Sequence, residues 1–203
     1  MVMTQDEFEQ ADWEPGYRYE LIHGVMVVTP PPLEEERDAN EQLGYWLRQY
    51  QESHPQGGAL DLTLPAHNVR TTTGNRRCDR AVWTGLGRRP RTRGPVAQRD
   101  ALSIIVEFPS SRVADLRRDY QEKSDEYRQV GVQEYWIVDR FRRQMTVHRV
   151  EGGQCARRTI GGSGTYQTSL LPGFQLPLGK LLAVSDKYRT AAGPSHPLSD
   201  RYD

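Results

Sequence analysis

A chain of 203 residues suits one α/β domain with a core of its own and no need of cross-links. Its mean hydropathy of −0.77 leaves no apolar run near the ~20 residues of a membrane helix, and the acidic opening MVMTQDEFEQADWEPG excludes a signal peptide, so a cytoplasmic location without a membrane partner is expected. Formal net charge is zero, and two cysteines without a C-x-x-C pattern, with five scattered histidines, argue against a zinc site or a disulfide framework.

Residues 1–16 read as a loosely ordered lead-in, 17–185 as the domain, and 186–203 as a polar, disordered tail. In residues 17–28, Y-R-Y-E-L-I-H-G-V-M-V-V, the His23-Gly24 pair splits two β-prone runs and predicts a hairpin, which three prolines end. A helix is predicted from Glu34 to about His54. Three glutamates suit its first turn, and Leu43, Trp46, Leu47 and Tyr50 form its buried stripe. Leu60, Leu62 and Leu64 alternate with polar residues as a strand, residues 71–76 make a turn, and Cys78–Trp83 is a short strand.

Residues 84–100 read as a flexible basic loop. Between Arg70 and Arg118 stand twelve arginines against four acids, a local excess of eight positive charges that attracts phosphate. A solvated arginine-rich surface is the plainer reading of the same run. From this run Arg76, Arg77, Arg80, Arg88, Arg89, Arg112 and Arg117 are the candidate DNA contacts.

Leu102–Val106 is an apolar strand that ends abruptly at Glu107. A helix from Asp115 to Val130, capped by Gly131, and a strand over 133–139 complete a right-handed parallel crossover. A turn at 140–143 leads to an antiparallel strand at 145–150. Beyond it, residues 151–180 are Gly-rich, with a strand expected near 168–171.

Three residues stand out chemically. Lys123 shares the inward stripe of its helix with Leu116, Tyr120, Tyr127 and Val130, where a lysine is costly without a partner or a task. Glu107 closes the preceding strand, within reach of that lysine. Asp79 lies in another short strand and offers a second carboxylate. Two hard oxygen ligands suit Mg²⁺, with Mn²⁺ as a substitute, and lysine can orient an attacking water. A buried structural Glu–Lys pair, a snorkelling lysine, or a lysine paired with Asp119 are the alternatives.

The segments Y-E-L-I-H-G (19–24), C-D-R-A-V (78–82), I-I-V-E (104–107) and D-Y-x-E-K-x-x-E-Y-x-x-x-G-V-x-E-Y-W-I-V-D (119–139) resemble the Uma-type bacterial restriction-endonuclease family, within the PD-(D/E)XK nuclease superfamily. The resemblance implies a restriction-endonuclease-like mixed β-sheet flanked by helices. It makes Asp79 and Glu107 the metal ligands and Glu20 an accessory carboxylate, unless Glu20 is only a cross-strand polar partner. The superfamily lysine, two residues after the second acid, is replaced here by Pro109, and Lys123 on the following helix matches that role. Asp119 would orient Lys123 or cap the network. The implied activity is Mg²⁺-dependent DNA endonuclease, with a two-fold dimer suited to cutting both strands. The rival is a non-catalytic descendant that binds DNA or another partner. A glycosidase pair lacks an aromatic cleft beside Asp79 and Glu107, and no phosphate-binding glycine loop or Ser-His-Asp order appears.

Overall fold

The computed structural model describes residues 2–54, 58–110, 118–152 and 154–188; at 118 and 119 it describes the backbone alone. An eight-stranded mixed sheet lies between helices on both faces. The predicted fold class, a mixed sheet flanked by helices with an N-terminal β-hairpin, is the one observed.

The chain opens with α1 (Gln5–Gln10), whose N-cap Thr4 and Glu7 form a reciprocal capping box. The lead-in is therefore part of the folded body. Met3 N–H bonds Gly24 O, Gln5 donates to the carbonyls of Thr71 and Gly74, and Phe8 is buried. Hairpin β1 (Arg18–Ile22) and β2 (Val25–Thr29) turns through His23 and Gly24, both with positive φ, which matches the twist of the strands it joins. Next comes α2 (Glu34–Ser53), then β3 (Leu60–Arg70) and β4 (Gly74–Thr84). These two strands run eleven residues each, longer than their apolar cores suggest, because β3 pairs with β4 almost throughout.

Strand β5 (Ile104–Glu107) leads to the crossover helix, described here as a π turn (Arg118–Glu122) that runs into α3 (Lys123–Gln129). Gly131 follows at φ 87°, the left-handed geometry that favours glycine after a helix. Strand β6 (Glu134–Asp139) is parallel to β5, and β7 (Gln144–Glu151) and β8 (Gln154–Gly161) add antiparallel strands. β8 went unseen in the sequence because it is an edge strand exposed at all but one position, so it lacks apolar alternation. The strand expected at 168–171 is a turn region. The short pair is instead β9 (Thr165–Tyr166) with β10 (Leu176–Pro177), followed by α4 (Leu178–Asp186). Most of the predicted tail lies outside the described residues.

Alternation sorts the core. Ile104, Val106, Trp136 and Val138 face α2 and α4, while Ile105, Tyr135 and Ile137 face α3 and Tyr127. One place breaks the rule. Cys78 and Ala81, an odd number of residues apart, share the α3-side core, so β4 changes face at Asp79–Arg80. Opposite this step on β3 stands Ala66, at φ 49°, a left-handed conformation that costs a non-glycine residue about 1–2 kcal/mol.

Candidate active site at a fork in the sheet

Asn75 pairs with Arg70 on one edge of β4 and Leu21 on the other. Ala81 pairs with Leu64 and Ile105 in the same way. So β1 and β5 lie along the same edge of β4 and part between its residues 75 and 80. Backbone groups facing the gap need partners. Arg77 N–H donates to Glu20 Oε1 at 3.0 Å, and Arg77 O accepts from Arg18 Nη2 at 3.1 Å. Two charged side chains of β1, spaced i and i+2 on one face, thus replace a strand.

Asp79 sits at the face change of β4, inside the fork. Its Oδ2 accepts from the Phe108 N–H at 2.7 Å, which sets its carboxylate beside the end of β5, and its Oδ1 pairs with Arg18 at 2.9 Å. Asn40 of α2 holds the Asp79 carbonyl at 2.8 Å. Glu107 ends β5 on the α3 side, where its Oε1 accepts from Lys123 Nζ at 2.8 Å and from Tyr127 OH at 3.2 Å. Lys123 Nζ also lies 3.5 Å from Glu20 Oε1. Lys123 opens α3 just after the π turn, a local widening that recurs at functional sites.

All four of these groups are buried: Glu20 is 4% exposed, Asp79 8%, Glu107 3% and Lys123 2%. Burial works against the charge of Arg18, but the carboxylates of Asp79, Glu107 and Glu20 more than offset it and hold its pKa above the ordinary value. Burial pushes the Tyr127 hydroxyl up, and the Glu107 charge adds to it. The same two causes, with Asp79, raise the Cys78 thiol, so this cysteine is inert filling.

The Uma2 family model, described as "Putative restriction endonuclease", matches residues 5–179. The chain belongs to the Uma2 family. Its fold is similar to that of a crystal structure described as "a putative nuclease belonging to DUF820" from Anabaena variabilis, at a TM-score of 0.72 over 90% of this chain and 99% of that one. Sequence identity there is 14%, so the likeness is one of fold. No curated protein matches.

In this Uma2 chain the structure brings Glu20, Asp79, Glu107 and Lys123 together at the fork. The side chain of Asp119, and Arg112 and Arg117, lie outside the described residues. Two proposed DNA contacts are corrected. Arg76 is 1% exposed and forks onto Glu126 of α3 at 2.8 and 2.5 Å. Arg80 is 3% exposed and bonds Asn40 and Thr63. Both point inward because β4 is covered on both faces, which a charge count cannot register. Arg77 is half-buried, Arg88 is paired with Asp100, and Arg89 is exposed. The loop that holds Arg88 is tied down: Arg88 and the Arg91 N–H both bind the Asp100 carboxylate, whose pKa those hydrogen bonds hold near 2.

The sequence reading missed Arg18 and Tyr127. Arg18 had a signal, a basic residue two before Glu20 on the same strand face. Among the described residues no three His, Cys, Asp or Glu side chains converge on one ion position. Asp79 and Glu107 still fit a hard divalent cation by donor chemistry, because Mg²⁺ commonly takes one or two carboxylates and completes its shell with water and phosphate.

Proposed function

We propose that the chain is a Mg²⁺-dependent DNA endonuclease that hydrolyses phosphodiester bonds at the fork of β1, β4 and β5. One observation carries the reading: a lysine ammonium buried at 2.8 Å from Glu107 and 3.5 Å from Glu20, with a second carboxylate, Asp79 of mid-β4, held against the end of β5 by the Phe108 N–H. Burying this much charge is costly, and a plain apolar core would be at least as stable.

Asp79 and Glu107 would hold the ion, and Mn²⁺ would serve in its place. When bound, the ion neutralises charge on the phosphodiester and acidifies a water. Lys123 is the compact cation that orients the attacking water and balances charge as the phosphorus gains its fifth oxygen. Tyr127 fixes the Glu107 carboxylate through Oε1, leaving its aim independent of solvent. Glu20 holds Lys123 from the other side. Arg18, four-fifths buried and bonded to Asp79, stands where it can transfer its donors to a phosphate oxygen.

The test is nicking of supercoiled plasmid with Mg²⁺ or Mn²⁺, alongside calorimetric Mn²⁺ binding. Asp79→Asn and Glu107→Gln should each lose metal binding and at least a hundredfold in cleavage rate, values typical of lost transition-state stabilisation. Lys123→Gln should lose cleavage and keep Mn²⁺ binding, and Lys123→Arg should not restore it. Equal nicking by the wild type and all variants would overturn the site. No nicking on any substrate would favour a non-catalytic DNA-binding protein.

A further inference from the structure

A cavity of about 210 Å³ opens where the lead-in crosses β1, lined by Trp13, Glu14, Tyr17, Tyr19, Asn68 and Arg77 among others. Its floor is aromatic. Trp13 stacks on Tyr19 at 4.7 Å and 24°, Phe8 supports Trp13 at 4.9 Å, and Tyr17 meets the edge of Tyr19 at 6.4 Å. Tyr17 is 50% exposed, which leaves a ring available to a visitor. The volume is below the ~300–1,000 Å³ of pockets for drug-sized ligands and suits one planar ring system.

Arg77 supplies the charge. Arg70, Arg76, Arg88 and Arg99 each pair with a carboxylate, of Asp6, Glu126, Asp100 and Glu9 in turn. The Arg77 guanidinium makes no such pair among the described residues, and its Nε is shielded from solvent without a hydrogen-bond partner there. The main chain of the same residue forms the wall of the fork, through Glu20 and Arg18. Pocket and fork therefore share one residue, whose main chain faces the fork and whose side chain lines the pocket.

Resting on the nuclease reading, we propose that this pocket takes one unstacked nucleotide of single-stranded DNA, its base on the Tyr17–Tyr19–Trp13 floor and its phosphate on Arg77. Aromatic rings accept any base, because each has a π-face, and a base enters such a pocket only once it leaves a duplex. The substrate class that follows is DNA with a single-stranded segment, such as a frayed end, a gap or a flap, and intact duplex is the poorer ligand.

The test is fluorescence anisotropy of a fluorescein-labelled oligodeoxythymidylate, single-stranded or paired with its complement, in EDTA so that no cleavage occurs. The single strand should bind at least tenfold more tightly than the duplex. Tyr17→Ala should weaken it roughly five- to hundredfold, the range of one lost base stack, while Tyr17→Phe binds as the wild type. Arg77→Gln should weaken binding and flatten its salt dependence, with Arg77→Lys in between. Equal affinity for both forms, or an unchanged Tyr17→Ala, would overturn the pocket. Because binding is read without turnover, plasmid nicking without this preference sinks the pocket alone, and the preference without nicking sinks the nuclease alone.

Discussion

At the scale of single residues, Arg18 decides how the fork balances its charge. It offers a guanidinium to Asp79 and a hydrogen bond to the Arg77 carbonyl, so it stands in for part of the positive charge that an ion would bring. Arg18→Ala removes that competitor. Mn²⁺ affinity measured by calorimetry should rise severalfold, while cleavage falls if Arg18 also holds the phosphate. His67 sets a pH limit. Burial, then the charges of Arg99 and Arg77, press its pKa from 6.5 down to about 4. Its ring meets Trp83 edge-on at 5.1 Å. Between those two values the unfolded chain takes up a proton that the folded chain refuses, so stability falls as pH drops through that window. Allowing for partial exposure, the loss is about 1–2 kcal/mol. His67→Gln should reduce the difference in Tm between pH 7 and pH 4.5 relative to wild type.

At the scale of elements, α2 is held to the sheet by an arginine it cannot release. Gly44 lies where an added Cβ would come within 2.5 Å of Arg80 Nη2. That guanidinium is fixed by the Asn40 side chain at 2.7 Å, the Asn40 carbonyl at 2.8 Å and Thr63 at 3.2 Å. In an exposed helix Gly→Ala would stabilise by up to about 1 kcal/mol. Gly44→Ala should instead destabilise by about 1–3 kcal/mol, read as a lower Tm, because Arg80 has nowhere to go. The elements were unevenly legible. α2 and β5–β7 announce themselves through apolar runs and periodicity, and Lys123 and Glu107 through polar residues that break them, whereas the first residues of β4 read as a turn. α4 had its stripe, Leu178, Leu181, Leu182 and Ser185, but it begins inside a Gly-rich stretch and the sequence reading assigned no element there. The fork could not be read at all, since two strands sharing one edge of a third is a matter of pairing.

Across the whole molecule, the central arginine run proves to be three populations. Arg76 and Arg80 are internal struts, Arg70 and Arg99 pair with Asp6 and Glu9 of the distant N-terminal segment, and Arg88 pairs with Asp100 within its own loop. Exposed arginines such as Arg89 and Arg91 remain for phosphate. DNA affinity should therefore fall with salt less steeply than a local excess of eight charges suggests. Each of Arg89→Gln and Arg91→Gln should reduce the slope of log affinity against log salt by up to about 0.9. Arg76→Gln should lower Tm and leave the slope unchanged. Alongside those internal struts, the free edge of β8 is lined with Arg157 and Arg158, charges that discourage edge-to-edge association.

The gap in the β4 ladder also gives the backbone a gauge of the charge beside it. Most sheet amides exchange their hydrogen only when strands separate. The Arg77 amide is shielded by the Glu20 carboxylate instead, and that carboxylate also answers to Lys123. Anything that draws Glu20 away, whether a proton, a divalent ion or a phosphate that recruits the lysine, should unlock this amide. Deuterium uptake at Arg77, measured with and without Mn²⁺, should then follow occupancy of the fork without any opening of the sheet.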